Sequence, residues 1–310
     1  MPIARINATA DRLSLHTSPR PVWPALSRAN RSEGPVIVMI HGFKYQPGHK
    51  LHCPHRHILS LAPEALPWRS PSWPRQLGFG VGNAGEGLAI AFGWQARGAL
   101  WQAQERGRLA GRALAKLLTQ LKDQAPTRPI HILAHSLGVD PALEALIHTH
   151  PGTIARIVSI TGACYRSRAE VALDSPTGRK TEFINITSRE NDLFDFLFER
   201  AITPPRARDR AIGQGLRAPN AVTVQLDCPR TLDHISRMGA AVAAPQRRIC
   251  HWSGYMRPGV LRFYSNLLRR HHEFSLDRLR QGLPIATAPR WSRIFAPPRL
   301  PAPLPFLQKA

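Results

Sequence analysis

The chain has 310 residues, 43% of them hydrophobic, enough to bury a sizeable core as one large domain or two modest ones and to exclude a disordered chain. Its formal net charge is +22. No apolar run reaches bilayer-spanning length and no continuous apolar stretch lies near residue 1, so neither a transmembrane helix nor a secretory signal is expected, and the expected address is cytoplasmic.

Residues 1–34 are mixed in pattern and predict a short strand or two. "PVIVMIHG" (35–42) is a continuous, β-branched apolar run, the pattern of a parallel strand buried on both faces. An irregular stretch rich in Pro, His, Trp and Gly follows over 43–86. "GLAIAFGW" (87–94) predicts a second buried strand, and apolar residues at helical spacing over 97–123 predict the longest helix. "PIHILAHS" (129–136) is a third strand, with "LGVDPALEALIHTH" after it as a helix. Further strands are predicted over 154–162, 181–188 and 221–227, and a last helix over 258–272. From about 282 the chain is proline-rich and basic, and poorly suited to regular structure. The expected organisation is one domain over 1–281, with 43–86 as a lid-like insertion, and a tail over 282–310. Apolar strands alternating with helices imply an α/β fold with a mostly parallel sheet, whose chemistry belongs at the carboxyl ends of the strands.

Arginine supplies 36 of the 42 basic side chains. They are scattered, without a long Lys/Arg block or zinc-finger spacing, which argues for solvated arginine rather than nucleic-acid binding and leaves peripheral contact with a membrane or lipid open. Cys53, Cys164, Cys228 and Cys250 form no C-x-x-C pair and are expected as reduced thiols.

"AHSLG" (134–138) ends one buried strand and starts a helix. That context suits a nucleophile elbow, G-x-S-x-G with alanine in the first position, and competes with Ser136 as a simple helix N-cap. The helix that follows aims its N–H groups and dipole at the turn, making the Leu137 N–H one donor for a developing oxyanion. Upstream, His41-Gly42-Phe43 closes an earlier buried strand, where Gly42 lets the backbone bend so that the Phe43 N–H supplies a second donor. Acids and histidines then occur at later strand ends, in the order Ser, Asp, His.

On "MIHGF", "HILAHSLG", the strand order and the loops holding Asp192 and His251, the sequence resembles the α/β-hydrolase superfamily, as a lipase/esterase-type member, from about Val36 to about Leu268. The resemblance implies a serine hydrolase acting on an ester or related acyl bond without cofactor or metal. It places the acid in the loop after "TEFINITS", where Asp192 is the best match and Glu190 and Asp195 are weaker ones; Asp192 equally suits the N-cap of "LFDFLFE". It places the base between the last strand and the last helix, where His251 in "CHWSGYMRPG" is preferred and His234 in "TLDHIS" is the alternative.

His49, His52, Cys53, His55 and His57 crowd one segment, but their spacing matches no common zinc pattern; a lid or pocket wall is expected, with Trp68, Trp73 and Pro74 as apolar lining. The expected partner is a small acyl substrate. An acyltransferase with the same residues, or a non-catalytic binding protein using the basic surface, is the alternative.

Overall fold

The computed structural model describes residues 3–30, 33–65 and 68–296. The predicted tail is therefore seen only as far as 296, and its remainder lies outside the described residues.

The strands are β1 (Ile3–Thr9), β2 (Arg12–Leu15), β3 (Val36–Ile40), β4 (Leu88–Trp94), β5 (Ile130–His135), β6 (Arg156–Ile160), β7 (Glu182–Thr187) and β8 (Ala221–Gln225). Among the described residues they form one eight-stranded sheet in the order β2-β1-β4-β3-β5-β6-β7-β8. Only the β1–β2 pair is antiparallel, and the remaining ladders are parallel. The α/β architecture with a mostly parallel sheet is thus as the sequence implies. β3, β4 and β5 are buried at every residue, which is why each reads as an unbroken apolar run rather than an alternating one.

The helices are α1 (Val22–Ala29), α2 (Trp73–Gln76), α3 (Leu100–Gln124), α4 (Val139–Ile147) and α5 (Arg166–Asp174), followed by α6 (Asp192–Ala201), α7 (Pro229–Arg237), α8 (Ser253–Met256), α9 (Val260–Arg269) and α10 (Leu276–Gly282). α3, α4 and α5 pack in one apolar layer that includes Leu114, Leu118 and Leu143; α9 and α10 build the other with Phe263, Leu267 and Leu279. The N-terminal segment, where a short strand or two is expected, holds β1 and β2 and also α1. The stretch 43–86 is irregular, as predicted, yet not superficial: Trp73 and Phe79 are fully buried in the second layer. No helix among the described residues is long and apolar enough to cross a membrane.

The chain does not end at α10. Residues 283–296 run back across the molecule as an irregular strap that ends in turns over 290–295. The Trp291 N–H donates to Asp192 Oδ2 at 2.7 Å, Arg290 pairs with Glu199 at 2.7 Å, and Arg293 donates to the carbonyls of Pro245 and Arg247, each at 2.9 Å. The strap thereby ties α6 to the loop before His251.

Candidate active site

β5 ends at His135 and α4 begins at Val139, with a single tight turn, Ser136–Gly138, between them. Ser136 has φ of 53°, a left-handed backbone that a non-glycine residue holds at a cost of about 1–3 kcal/mol. The surroundings hold it there. The Ser136 carbonyl accepts the Ala163 N–H at 3.1 Å. A Cβ on Gly138 would lie 2.4 Å from the His41 carbonyl oxygen, and one on Gly42 would lie 2.8 Å from Ser136 Cβ. The two glycines are thus the positions where the "MIHGF" and "AHSLG" segments touch. Ala134 lies inside β5, opposite Ile40 and Ser159, with ordinary strand backbone, so alanine meets that position's needs.

The His41–Tyr45 turn is braced against the end of β4. Trp94 N–H donates to His41 Nε2 and Trp94 Nε1–H to the His41 carbonyl, both at 3.1 Å. The His41 Nδ1 therefore carries the proton and donates to the Gly42 carbonyl at 2.9 Å. Burial pulls His41 down to about 4, which keeps it neutral and this brace intact at ordinary pH. Phe43 and Leu137 both line the cavity at Ser136.

His251 reaches this turn from the loop between α7 and α8. Its Nε2 is 2.9 Å from Ser136 Oγ. Its ring is enclosed by His135, Phe194 and Trp252, with Phe194 stacked at 4.7 Å, and burial pulls the imidazole down to about 4. The loop is fastened by the Cys250 N–H, which donates to the Glu190 carbonyl at 2.8 Å.

The other nitrogen of His251 does not meet Asp192. Nδ1 is 2.7 Å from Asn191 Oδ1, and the Asn191 amide donates to Asp195 Oδ1 at 2.9 Å. Asp192 opens α6 facing the opposite way: its Oδ1 lies 3.0 Å from Arg189 Nη1 and its Oδ2 accepts from Trp291. Successive helical positions differ by about 100° in direction, so Asn191 and Asp192 cannot both face His251. The sequence carries the signal in "REND", where the residue beside the expected acid is a side chain able to accept the same hydrogen bond. Glu190 turns its carboxylate to Ser188 Oγ at 3.2 Å and toward Arg257 at 3.6 Å. His234 lies on α7 against α10, its Nε2 at 3.1 Å from the Arg278 carbonyl, and takes no part in the cluster around Ser136.

The histidine-rich segment uses its rings for local hydrogen bonds. His57 joins Tyr45 Oη and the Trp68 carbonyl, both at 2.6 Å, His55 joins Asn7 at 2.7 Å, and His49 Nδ1 accepts from the N–H groups of Leu51 and His52. No group of three or more His, Cys, Asp or Glu among the described residues is placed to hold a metal ion. All four cysteines are free thiols.

Residues 25–155 match the family model described as "Alpha/beta hydrolase of unknown function (DUF900)", a span that contains the His41–Gly42 turn and Ser136. The fold is the α/β-hydrolase fold. Among solved structures, Pyrococcus horikoshii acylaminoacyl peptidase aligns with 78% of this chain and 37% of that one, at 12% identity and a TM-score of 0.35. The chain thus spans little more than a third of that protein's length. No curated protein matches the sequence.

The α/β-hydrolase sheet presents Ser136 and His251 to a cavity of about 420 Å³ at its carboxyl edge. One wall is α6, through Phe194, Leu197, Phe198 and Ala201; Phe43, Leu100 and Ala163 face it. Trp68 and Trp252, with ring centroids 5.9 Å apart, flank the rim. Of the expected apolar lining, Trp68 takes that place. Trp73 sits behind it, edge-on to Tyr255 at 5.3 Å and to His135 at 6.3 Å, and Pro74 is buried beside Trp73 on α2.

Proposed function

We propose that this α/β-hydrolase is a serine hydrolase that cleaves a carboxylic ester or related acyl bond. The observation that carries the reading is Ser136 Oγ at 2.9 Å from His251 Nε2, on a turn whose left-handed backbone lifts the hydroxyl into the cavity. Ser136 Oγ attacks the acyl carbon while His251 Nε2 takes its proton. The backbone N–H groups of Phe43 and Leu137 receive the carbonyl oxygen as it gains charge. His251 then hands the proton to the leaving group, and water, deprotonated by the same nitrogen, releases the acid from the acyl-enzyme. Asn191 takes the place of the orienting acid. None of these steps calls for a cofactor.

The cavity wall is mostly apolar, with Lys44 and Asp195 among its charged or ionisable members beside Ser136 and His251, which favours an apolar acyl group. A fluorophosphonate probe tests the reading: the wild-type protein is expected to be labelled at Ser136 and to turn over p-nitrophenyl esters, with kcat/KM rising along an acyl series until the cavity is full. A wild-type protein that is neither labelled nor active on any member of the series would remove the hydrolase reading.

The pH profile is a second check. A base must be unprotonated to act, and burial holds His251 down to about 4. The final loss of kcat/KM on the acid side is therefore expected near pH 4, well below that of an exposed histidine.

A further inference from the structure

We propose that Asp195 is a positioning residue for His251, acting through the Asn191 amide to fix which imidazole nitrogen carries the proton. The proposal rests on the hydrolase reading and extends it to a residue with no place in the reaction steps above.

A neutral imidazole at Ser136 must offer a bare Nε2 and so carry its proton on Nδ1. Nδ1–H needs an acceptor, and at 2.7 Å it faces Asn191. An asparagine amide is ambiguous, because one end accepts and the other donates. Turned the wrong way, Asn191 would offer N–H to Nδ1 and drive the proton to Nε2, where it could not accept from the serine. The neighbour on the far side removes the ambiguity. Asp195 Oδ1, at 2.9 Å, is an acceptor for the Asn191 amide, so the NH₂ end must point at Asp195 and the carbonyl end at His251. The spacing is one helical turn along α6, which lays 191 and 195 over each other on one face.

Asp195 is itself held in place. It is 2% exposed, and a Cβ on Gly213 would lie only 1.9 Å from its Oδ2, so the Gly213 backbone is pressed against the carboxylate. Among the described residues its buried Oδ2 has no hydrogen-bond partner, and the Asn191 amide is the hydrogen-bond partner of its side chain. The charged groups around it are Arg189 from the turn after β7, Asp192 and Glu199 from α6, and Arg290 from the C-terminal strap.

The arrangement carries a pH signature. Burial pushes Asp195 up to about 7, with Asp192 and Glu199 acting in the same sense and Arg189 and Arg290 opposing it. Both protonation states keep an acceptor oxygen toward Asn191, so the orientation survives titration. The ionised form polarises the amide further and makes Asn191 Oδ1 a stronger acceptor for Nδ1–H. Activity should therefore rise in a partial step as pH passes about 7, above the complete acid-side loss set by His251.

Three variants test this. Asp195→Asn keeps an acceptor for the Asn191 amide but no charge, so it should fold normally, lose the step near pH 7 and stay at the lower plateau. Asp195→Leu removes the acceptor; kcat and the rate of fluorophosphonate labelling should fall on the order of 10²-fold at nearly unchanged KM. Adding Asn191→Asp to Asp195→Leu returns an acceptor-only group to Nδ1 and should restore most of that loss. Nitrogen-15 spectra of the His251 imidazole should show Nδ1–H in the wild type and mixed protonation in Asp195→Leu. If Asp195→Leu keeps its kcat, its pH step and an Nδ1–H imidazole, or if adding Asn191→Asp rescues nothing, Asp195 is only packing. A wild type without Ser136-dependent turnover would sink the hydrolase reading instead; the imidazole spectra then decide Asp195 by themselves, and mixed protonation in the wild type overturns it.

Discussion

Ser136→Ala and His251→Ala are each expected to lower kcat/KM by roughly 10⁴–10⁶-fold, and the double variant by no more than either alone. The two groups act as one device. Without His251 the Ser136 hydroxyl keeps its proton and is a poor nucleophile; without Ser136 the imidazole has nothing to activate. Ser136→Ala removes only the hydroxyl, and alanine meets about the same penalty as serine at a φ of 53°, so the thermal midpoint should hardly move. The contrast between an intact melting curve and lost turnover separates catalysis from folding. An active Ser136→Ala would place the chemistry elsewhere.

Asp192→Ala should do the reverse. Both Asp192 and Arg189 are fully buried, 3.0 Å apart, and Asp192 also anchors the C-terminal strap through the Trp291 N–H at 2.7 Å. Removing the carboxylate leaves a buried guanidinium short of its counter-charge, a loss of about 3–5 kcal/mol. For a chain of this size that corresponds to a drop in Tm of about 6–20 °C. Because Asp192 does not touch His251, folded Asp192→Ala measured well below its lowered midpoint should keep most of its kcat. A large kcat loss with an unchanged Tm would restore Asp192 to the role that the sequence suggests for it.

That pair of neighbours shows where sequence reading stops. "RENDLF" places a carboxylate at the right distance past β7, and Asp192 fits both an orienting acid and a helix start. Which side chain faces the histidine depends on partners far along the chain: His251 is 60 residues from Asn191, and Trp291 is 99 from Asp192. The choice between His251 and His234 is of the same kind. Both follow β8, and only packing places one against Ser136 and the other against α10.

Six helices, α1, α2, α5, α7, α8 and α10, escape the reading for another reason. Each spans nine residues or fewer, too short for a helical period to repeat clearly, and α5 ("RSRAEVALD") in addition buries little beyond alanine and leucine. The dense histidines of 49–57 suggest a lid or pocket wall, whereas none of them lines the cavity at Ser136 and their hydrogen bonds to Tyr45, Asn7 and backbone groups make them loop braces.

By itself the sequence determined the six apolar runs that became β3 to β8, the turn at Ser136 and the glycine turn at Gly42, because these are local: a strand buried on both faces must be apolar throughout, and a strand-turn-helix needs small residues within five positions. The tertiary structure alone decided the partners of Ser136. A hydrogen bond between side chains 60 or 115 residues apart is fixed by helix rotation, loop path and the strap that crosses them, none of which leaves a periodic trace in the chain.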